Sequence, residues 1–290
     1  MYMDFHQFLY LNKILSILVY KMESIDYLKS EFRKINNLFL KGKFDLVIKK
    51  AKKIIEKNPK QIPFYNLLAL SYREKNNLFF SEKILLEANK INPNDQSVIV
   101  NLGATYRSLF EFEKSEKHFQ QALLHNSKNI NALVNYANLK RETNKFSEAI
   151  KLYNEAYELD NNNEIILINL AGVYQIIGKF EISKKLLEKL LNINPKNILA
   201  HKMLSIMKRY ENKDKHQEEM LSLLKENSFT EYERATLYFA ISKSYEDQKN
   251  YKKSSDFFIK ANSIQKIIHK NYSIKNEIKL FEKIKKIFKK

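Results

Sequence analysis

Leu68, Leu102, Tyr136 and Leu170 lie 34 residues apart, and so do Ala69, Gly103, Ala137 and Ala171. A fixed period of this length, kept in several columns, constrains the fold more than any other feature of the chain. Each unit is too short to bury a core alone and must stack on its neighbours. Within Ile62 to Asp95, Tyr65, Leu68, Ala69 and Tyr72 fall at i, i+3, i+4 and i+7, one face of a first helix. Ser81, Leu85 and Ala88 mark the inner face of a second helix, and Pro93 cannot continue it. Asn76 and Asn77 interrupt the pattern between them, so the unit is a helical hairpin. The small column predicts a close approach of the two helices. A large column, Phe44, Leu78, Phe112, Phe146 and Phe180, follows each turn. The turns carry Gly42, Asn76, Asn144 and Gly178, residues that accept positive φ at low cost, with Phe110 as the exception.

Repeats start near residues 28, 62, 96, 130 and 164, with an irregular one at 198 and a last one at 235, so the array spans 28–268. The first is degenerate but keeps Leu38, Gly42, Phe44, Val47, Ala51 and Pro59 in register. The sixth holds His201, Leu204 and Ser205 in register and loses the pattern through Glu211 to Lys215. Thr230 with Glu233 forms the capping-box signature that restarts a helix. Residues 1–27 are read as an extra segment or capping helix, with Met22 as an alternative start. Their apolar run, Phe8 to Tyr20, is too short and too interrupted to span a bilayer. Residues 269–290 place Ile274, Ile278, Phe281, Ile284 and Phe288 at helical spacing among lysines, which predicts a basic amphipathic helix. It would cover the last hairpin and offer the rest of its stripe to a following domain, a partner or an anionic membrane.

This alternation of small and large columns resembles the tetratricopeptide repeat. The resemblance implies an all-α, right-handed α-solenoid of about seven hairpins, with Tyr65, Leu68, Tyr72, Leu102, Tyr106, Leu170 and Tyr174 buried. It also implies a concave groove lined by the first helices, where such modules bind extended peptides. Residues 235–266, and the irregular stretch 203–226 before them, resemble the closing part of the repeat region in bacterial sulfotransferase-family proteins. There a catalytic domain follows with a phosphosulfate-binding loop rich in Arg, Ser, Gly and Thr. No such loop occurs up to Lys290, so the family's cofactor-binding residues have no positions here, and this chain alone is expected to have no sulfotransferase activity. The alternative is a free-standing scaffold with no link to sulfotransfer.

Only four Gly and four Pro occur, which leaves no material for Gly-rich phosphate loops or a turn-rich β fold. There is no Cys, hence no disulfide framework or thiolate metal site, and a reducing, cytoplasmic location is expected. The net charge of +18 raises nucleic acid or anionic membrane as partners. Read as spread over every repeat, the excess is a solvated surface. The aromatics fall in core columns rather than among exposed cations, which argues against nucleic acid. His6, His118, His125, His201, His216 and His269 never pair at two-ligand helical spacing and read as surface or packing residues. No catalytic residue, metal site or cofactor is expected.

Two columns on the first helices are chemically distinctive. Asn101, Asn135 and Asn169 recur at 34-residue spacing, and an amide can pair with both groups of a peptide backbone whatever its side chains. The column resembles the asparagine ladder in the repeat domain of O-linked N-acetylglucosamine transferase, although Asn is common throughout this chain. Arg73, Arg107 and Arg141 form the second column, ended by Gln175, in a chain whose usual cation is Lys. A guanidinium fork suits carboxylates, so the two columns together predict a protein or peptide ligand of acidic character. Ion pairs with Glu74 and Glu142 are the competing explanation for the arginines.

Overall fold

The computed structural model describes residues 25–226 and 228–268, together with residues 278, 281, 282 and 285. The N-terminal segment before residue 25 and most of the expected C-terminal helix lie outside the described residues. Every regular element among the described residues is helical. Helix α1 covers residues 25–40 and is followed by α2 (Phe44–Lys57), α3 (Ile62–Glu74), α4 (Leu78–Ile91), α5 (Gln96–Ser108) and α6 (Phe112–His125). Then come α7 (Ile130–Glu142), α8 (Phe146–Leu159), α9 (Glu164–Ile176), α10 (Phe180–Ile193), α11 (Ile198–Met207), α12 (Lys215–Leu223), α13 (Glu231–Asp247) and α14 (Tyr251–Ile268). Paired in order they make seven hairpins, the all-α solenoid class that the period predicts. The chain divides into two compact units, residues 1–156 and 157–290.

The 34-residue columns mark the joints of the hairpins. Phe44, Leu78, Phe112, Phe146 and Phe180 are each the first residue of a second helix. Most first helices begin with an Asn or Asp whose side chain accepts orphan backbone N–H groups: Asp95 from Ser97 and Val98, Asn129 from Ala132, Asn163 from Ile165 and Ile166. In the first unit, Ile35, Val47, Ile54, Phe64 and Leu67 form one core layer, and Tyr65, Ala69, Leu85, Leu102 and Tyr106 form the next. Ala69, Gly103, Ala137 and Ala171 are fully buried or nearly so, and an added Cβ on Gly103 would lie 2.6 Å from the Phe119 ring. Buried hydroxyls are satisfied across the close approach: Ser115 Oγ donates to the Gly103 carbonyl at 2.8 Å and Ser183 Oγ to that of Ala171 at 2.9 Å. Of the seven residues expected to be buried, Tyr72 and Tyr174 are only half-buried. They stand two residues from the end of their helices, as does Tyr106, which is buried; Tyr72 stacks on Phe80.

The turns repeat one backbone solution. Gly42, Asn76, Phe110, Asn144 and Gly178 all have φ between 56° and 75°, the left-handed conformation that ends a helix. Phe110 therefore adopts the conformation although its type disfavours it, at a cost of about 1 kcal/mol or more. Phe110→Asn should raise stability by about 1 kcal/mol, read as a higher midpoint in urea, and an unchanged or lower midpoint would show that the exposed ring is structurally required.

In the second unit the irregular repeat becomes a short hairpin. Lys208 leaves the helix in an extended conformation, and α11 stops after 10 residues. Tyr210, half-way along the connection, is buried, and its backbone N–H donates to Asp247 at 3.0 Å. Three rings fill the space beneath it. His201 Nε2 donates to the Pro195 carbonyl (2.8 Å), His216 Nε2 to His201 Nδ1 (2.8 Å), and the Tyr210 hydroxyl to His216 Nδ1 (2.7 Å). With both imidazoles neutral, this is the proton arrangement that satisfies every contact. The capping box starts α13 as expected, with both reciprocal bonds between Thr230 and Glu233 present.

Candidate functional site

The first unit sets α3, α5 and α7 side by side. Asn101, in the middle of α5, donates to Asn66 of α3 at 2.8 Å, and Asn66 in turn donates to Ser97 at 2.7 Å. Asn135 occupies the same place on α7 and donates to the Asn131 carbonyl one turn earlier, at 2.9 Å. Between α5 and α7 lies a recess of about 420 Å³ lined by Gln96, Ser97, Val100, Asn101, Asn129, Asn131 and Asn135. The structure thus brings Asn101 and Asn135 to one cavity. Asn169 is a half-buried residue of α9 in the second unit, with a partner of its own.

The recess is polar and carries no net charge. Gln96 lines this recess, and its Oε1, withdrawn from the surface, receives no hydrogen bond among the described residues, at a cost of about 1–3 kcal/mol that a donor could relieve if the side chain turned outward. Gln96, Asn131 and the bridging Asn66 were not singled out from the sequence. Asn66 stands one position before the Asn column, so a strict 34-residue test passes over it. Asn131 and Asn135 are four apart on one helix, which was the available signal.

The arginine column is less uniform than its spacing. Arg73 is largely buried, and among the described residues its Nη1 has no hydrogen-bond partner and no carboxylate lies within ion-pairing distance. Burial lowers its pKa, aided by the charge of Arg107 and opposed by Glu74. Arg107 does meet the competing explanation: its Nε lies 3.6 Å from Glu142, and Nη1 donates to the Asn135 carbonyl at 3.4 Å. Arg141 is likewise engaged. Both charges act on Tyr153, whose hydroxyl donates to Asn138 at 2.6 Å and whose pKa is pushed up to about 12, chiefly by burial.

A further buried cation was not foreseen. Lys140, on α7, is almost wholly enclosed and lies 2.7 Å from both Glu116 and Glu148, while the Tyr136 hydroxyl donates to the same Glu116 at 2.6 Å. These contacts raise the Lys140 pKa against the effect of burial. A protonated, doubly paired lysine is a structural tie and a poor nucleophile. His118 and His125 bond to carbonyls of their own helix, and no group of three metal-ligating side chains occurs among the described residues. His201 and His216 are buried packing residues, and their contact was not visible in the sequence: they lie 15 residues apart and only the fold joins them.

No curated protein matches the chain in sequence. Solved structures do match in fold. A tetratricopeptide-repeat protein from Parabacteroides merdae aligns over 88% of this chain and 97% of its own, with a TM-score of 0.54 at 16% identity. A thermophilic repeat protein of Thermus thermophilus aligns over 62% and 97%, with a TM-score of 0.58 at 14% identity. The human IFIT1 dimer with m7Gppp-AAAA aligns over 77% of this chain and 55% of that one, with a TM-score of 0.61 at 18% identity. At such identities the likeness is one of fold. Three tetratricopeptide-repeat family models match residues 95–162, 140–206 and 235–267. Those segments contain the hairpins whose period, small-residue column and left-handed turns are described above, and the chain is a member of the tetratricopeptide-repeat family.

Proposed function

We propose that this protein is a peptide-binding module that holds an extended partner segment along α5 and α7 of its first unit. Tetratricopeptide-repeat modules generally mediate protein–protein interaction. The observation that carries the reading is the recess lined by the side-chain amides of Asn101, Asn135, Asn129, Asn131 and Gln96. A peptide backbone supplies donors and acceptors alternately, which is what such a wall can pair. Arg73 adds a largely buried positive charge that forms no ion pair among the described residues, which favours an acidic side chain on the ligand.

Peptides enriched from a random library on the full chain provide the test. Asn101→Ala with Asn135→Ala should weaken them by about 1 kcal/mol for each lost bond, with little change in melting temperature. Adding Asn169→Ala asks whether the column continues as a binding element. Unaltered affinity, or early unfolding of the double variant, would remove the groove from consideration. If Arg73→Ala leaves acidic peptides bound as before at low salt, the acidic preference is wrong.

The narrower reading, in which this module is the substrate arm of a sulfotransferase, rests on the resemblance of residues 203–226 and 235–266. Stoichiometric binding of the sulfate donor's nucleotide product by the full chain would overturn the companion proposal that the chain lacks a transferase site. The scaffold reading requires no such partner domain, and the peptide test is common to both.

A further inference from the structure

The positive charge is not spread evenly, as the sequence reading assumed. Residues 28–61 carry 11 Lys or Arg against three Asp or Glu and residues 235–290 carry 14 against five, whereas residues 62–234 carry 24 against 22. A biased supply of lysine codons would enrich every repeat alike, so the shortage of acids in the first hairpin needs its own reason. Ten of the 11 cations are Lys, and those on α2 are exposed. Lys41, Lys43, Lys49, Lys50 and Lys53 have no carboxylate within ion-pairing distance among the described residues.

The hairpin tips beside this charge are apolar. Leu40, Phe79 and Phe110 sit at the tips of three consecutive hairpins and are 74%, 68% and 80% exposed. The tips share one edge of the first unit: Lys75 in the second turn pairs with Asp45 at the start of α2, and Arg107 near the third reaches Glu142 beside the fourth. Lys52 stands over the Tyr72 ring at 5.6 Å, Tyr72 stacks on Phe80, and Phe80 packs against Phe79, which joins the basic helix to the apolar tip. Phe110 is the telling residue. It occupies the left-handed turn position held by Gly42, Asn76 and Asn144 in the other hairpins of this unit and by Lys249 in the last hairpin of the chain, and it exposes a ring there that an asparagine would not offer.

From this arrangement we infer that the tip edge of the first unit, with α2 beside it, docks on an anionic membrane surface. The tips are separate protrusions rather than a groove, so they suit a fluid interface that needs no matching shape. Lysines draw such an edge to acidic headgroups as point charges, whereas the arginine forks favoured for nucleic-acid phosphates are nearly absent from it. This surface is separate from the amide recess, and the inference does not depend on peptide binding there.

Flotation of the full chain with vesicles of phosphatidylcholine, with and without phosphatidylserine, provides the test. Binding should require phosphatidylserine and fall as salt rises. Phe79→Ser with Phe110→Asn should lower the partition coefficient at least about tenfold, since each buried Phe contributes strongly at such an interface. Because Phe110→Asn also relieves strain, the variant should bind less while melting no earlier, which separates docking from folding. Lys49, Lys50, Lys52 and Lys53 changed together to Gln should abolish binding while preserving the helical signal. Equal binding to neutral vesicles, or binding that survives both variants through residues 269–290, overturns the inference. So does a homopolymeric RNA that binds more tightly than the vesicles and is lost with the same substitutions.

Discussion

Lowering the pH from 7 to 5 is expected to remove about 2 kcal/mol of stability from the second unit through His216 alone. Burial is the main cause: it pushes the His216 pKa down to about 3, and the neighbouring His201 and Lys208 push the same way against Asp214. His201 is lowered as well, again chiefly by burial. Both groups favour the neutral form when folded, whereas the unfolded chain takes up a proton near pH 6.5. Their contribution is therefore complete above about pH 6.5 and is lost as the pH falls towards the folded pKa. The size of the loss at pH 5 depends on the unfolded pKa and hardly on how far below 5 the folded one lies. A proton on His201 Nδ1 would drive the His216 proton to Nδ1, where the Tyr210 hydroxyl could accept it only by giving up its own donation, so burial rather than hydrogen bonding sets the direction. The protection factors of amides in α11 and α12 should fall between pH 7 and 5, while the His216 imidazole stays neutral. A His216 imidazole that titrates near 6.5 in the folded protein would contradict this account.

The second large effect concerns the closest helix contact. Gly103→Ala should destabilise the first unit by about 1–2 kcal/mol net, because overpacking outweighs the gain in helix propensity. The added methyl would meet the Phe119 ring, which is fully buried and has nowhere to retreat. The preceding hairpin accommodates alanine at this register, Ala69, with Leu85 where this one has Phe119. Phe119→Leu should therefore be costly alone and compensating beside Gly103→Ala. Urea unfolding of the four variants should give a coupling of about 1 kcal/mol or more. Strict additivity would mean that the glycine is present for another reason.

The same comparison explains why the hairpins were legible in the sequence. Period, turn and small-residue column are local properties: they follow from helix geometry and from which residues tolerate positive φ. Five second-helix starts and the box at Thr230 could be placed without coordinates. Burial at the helix ends was less legible, because Tyr72, Tyr106 and Tyr174 share one register and only Tyr106 is buried. The candidate site was half visible. Asn101 and Asn135 announced themselves by spacing, whereas Asn66, Asn131 and Gln96 became part of one wall only when neighbouring hairpins packed.

What the amino-acid sequence determined by itself was the repeating unit, since each column expresses a constraint within one hairpin or between adjacent ones. What tertiary structure decided was the fate of polar groups away from water. In the second hairpin Tyr65 donates to the Pro59 carbonyl, and in the sixth His201 makes the equivalent bond to Pro195 from the same register. The period accounts for that likeness. It says nothing of His216 and Tyr210, which come from the stretch where the pattern is lost. They complete the hydrogen bonds of His201 because a buried imidazole must satisfy both nitrogens wherever the partners lie in the chain. Arg73 shows the reverse case: its spacing matches that of Arg107, but only packing left one beside a carboxylate and the other enclosed without one.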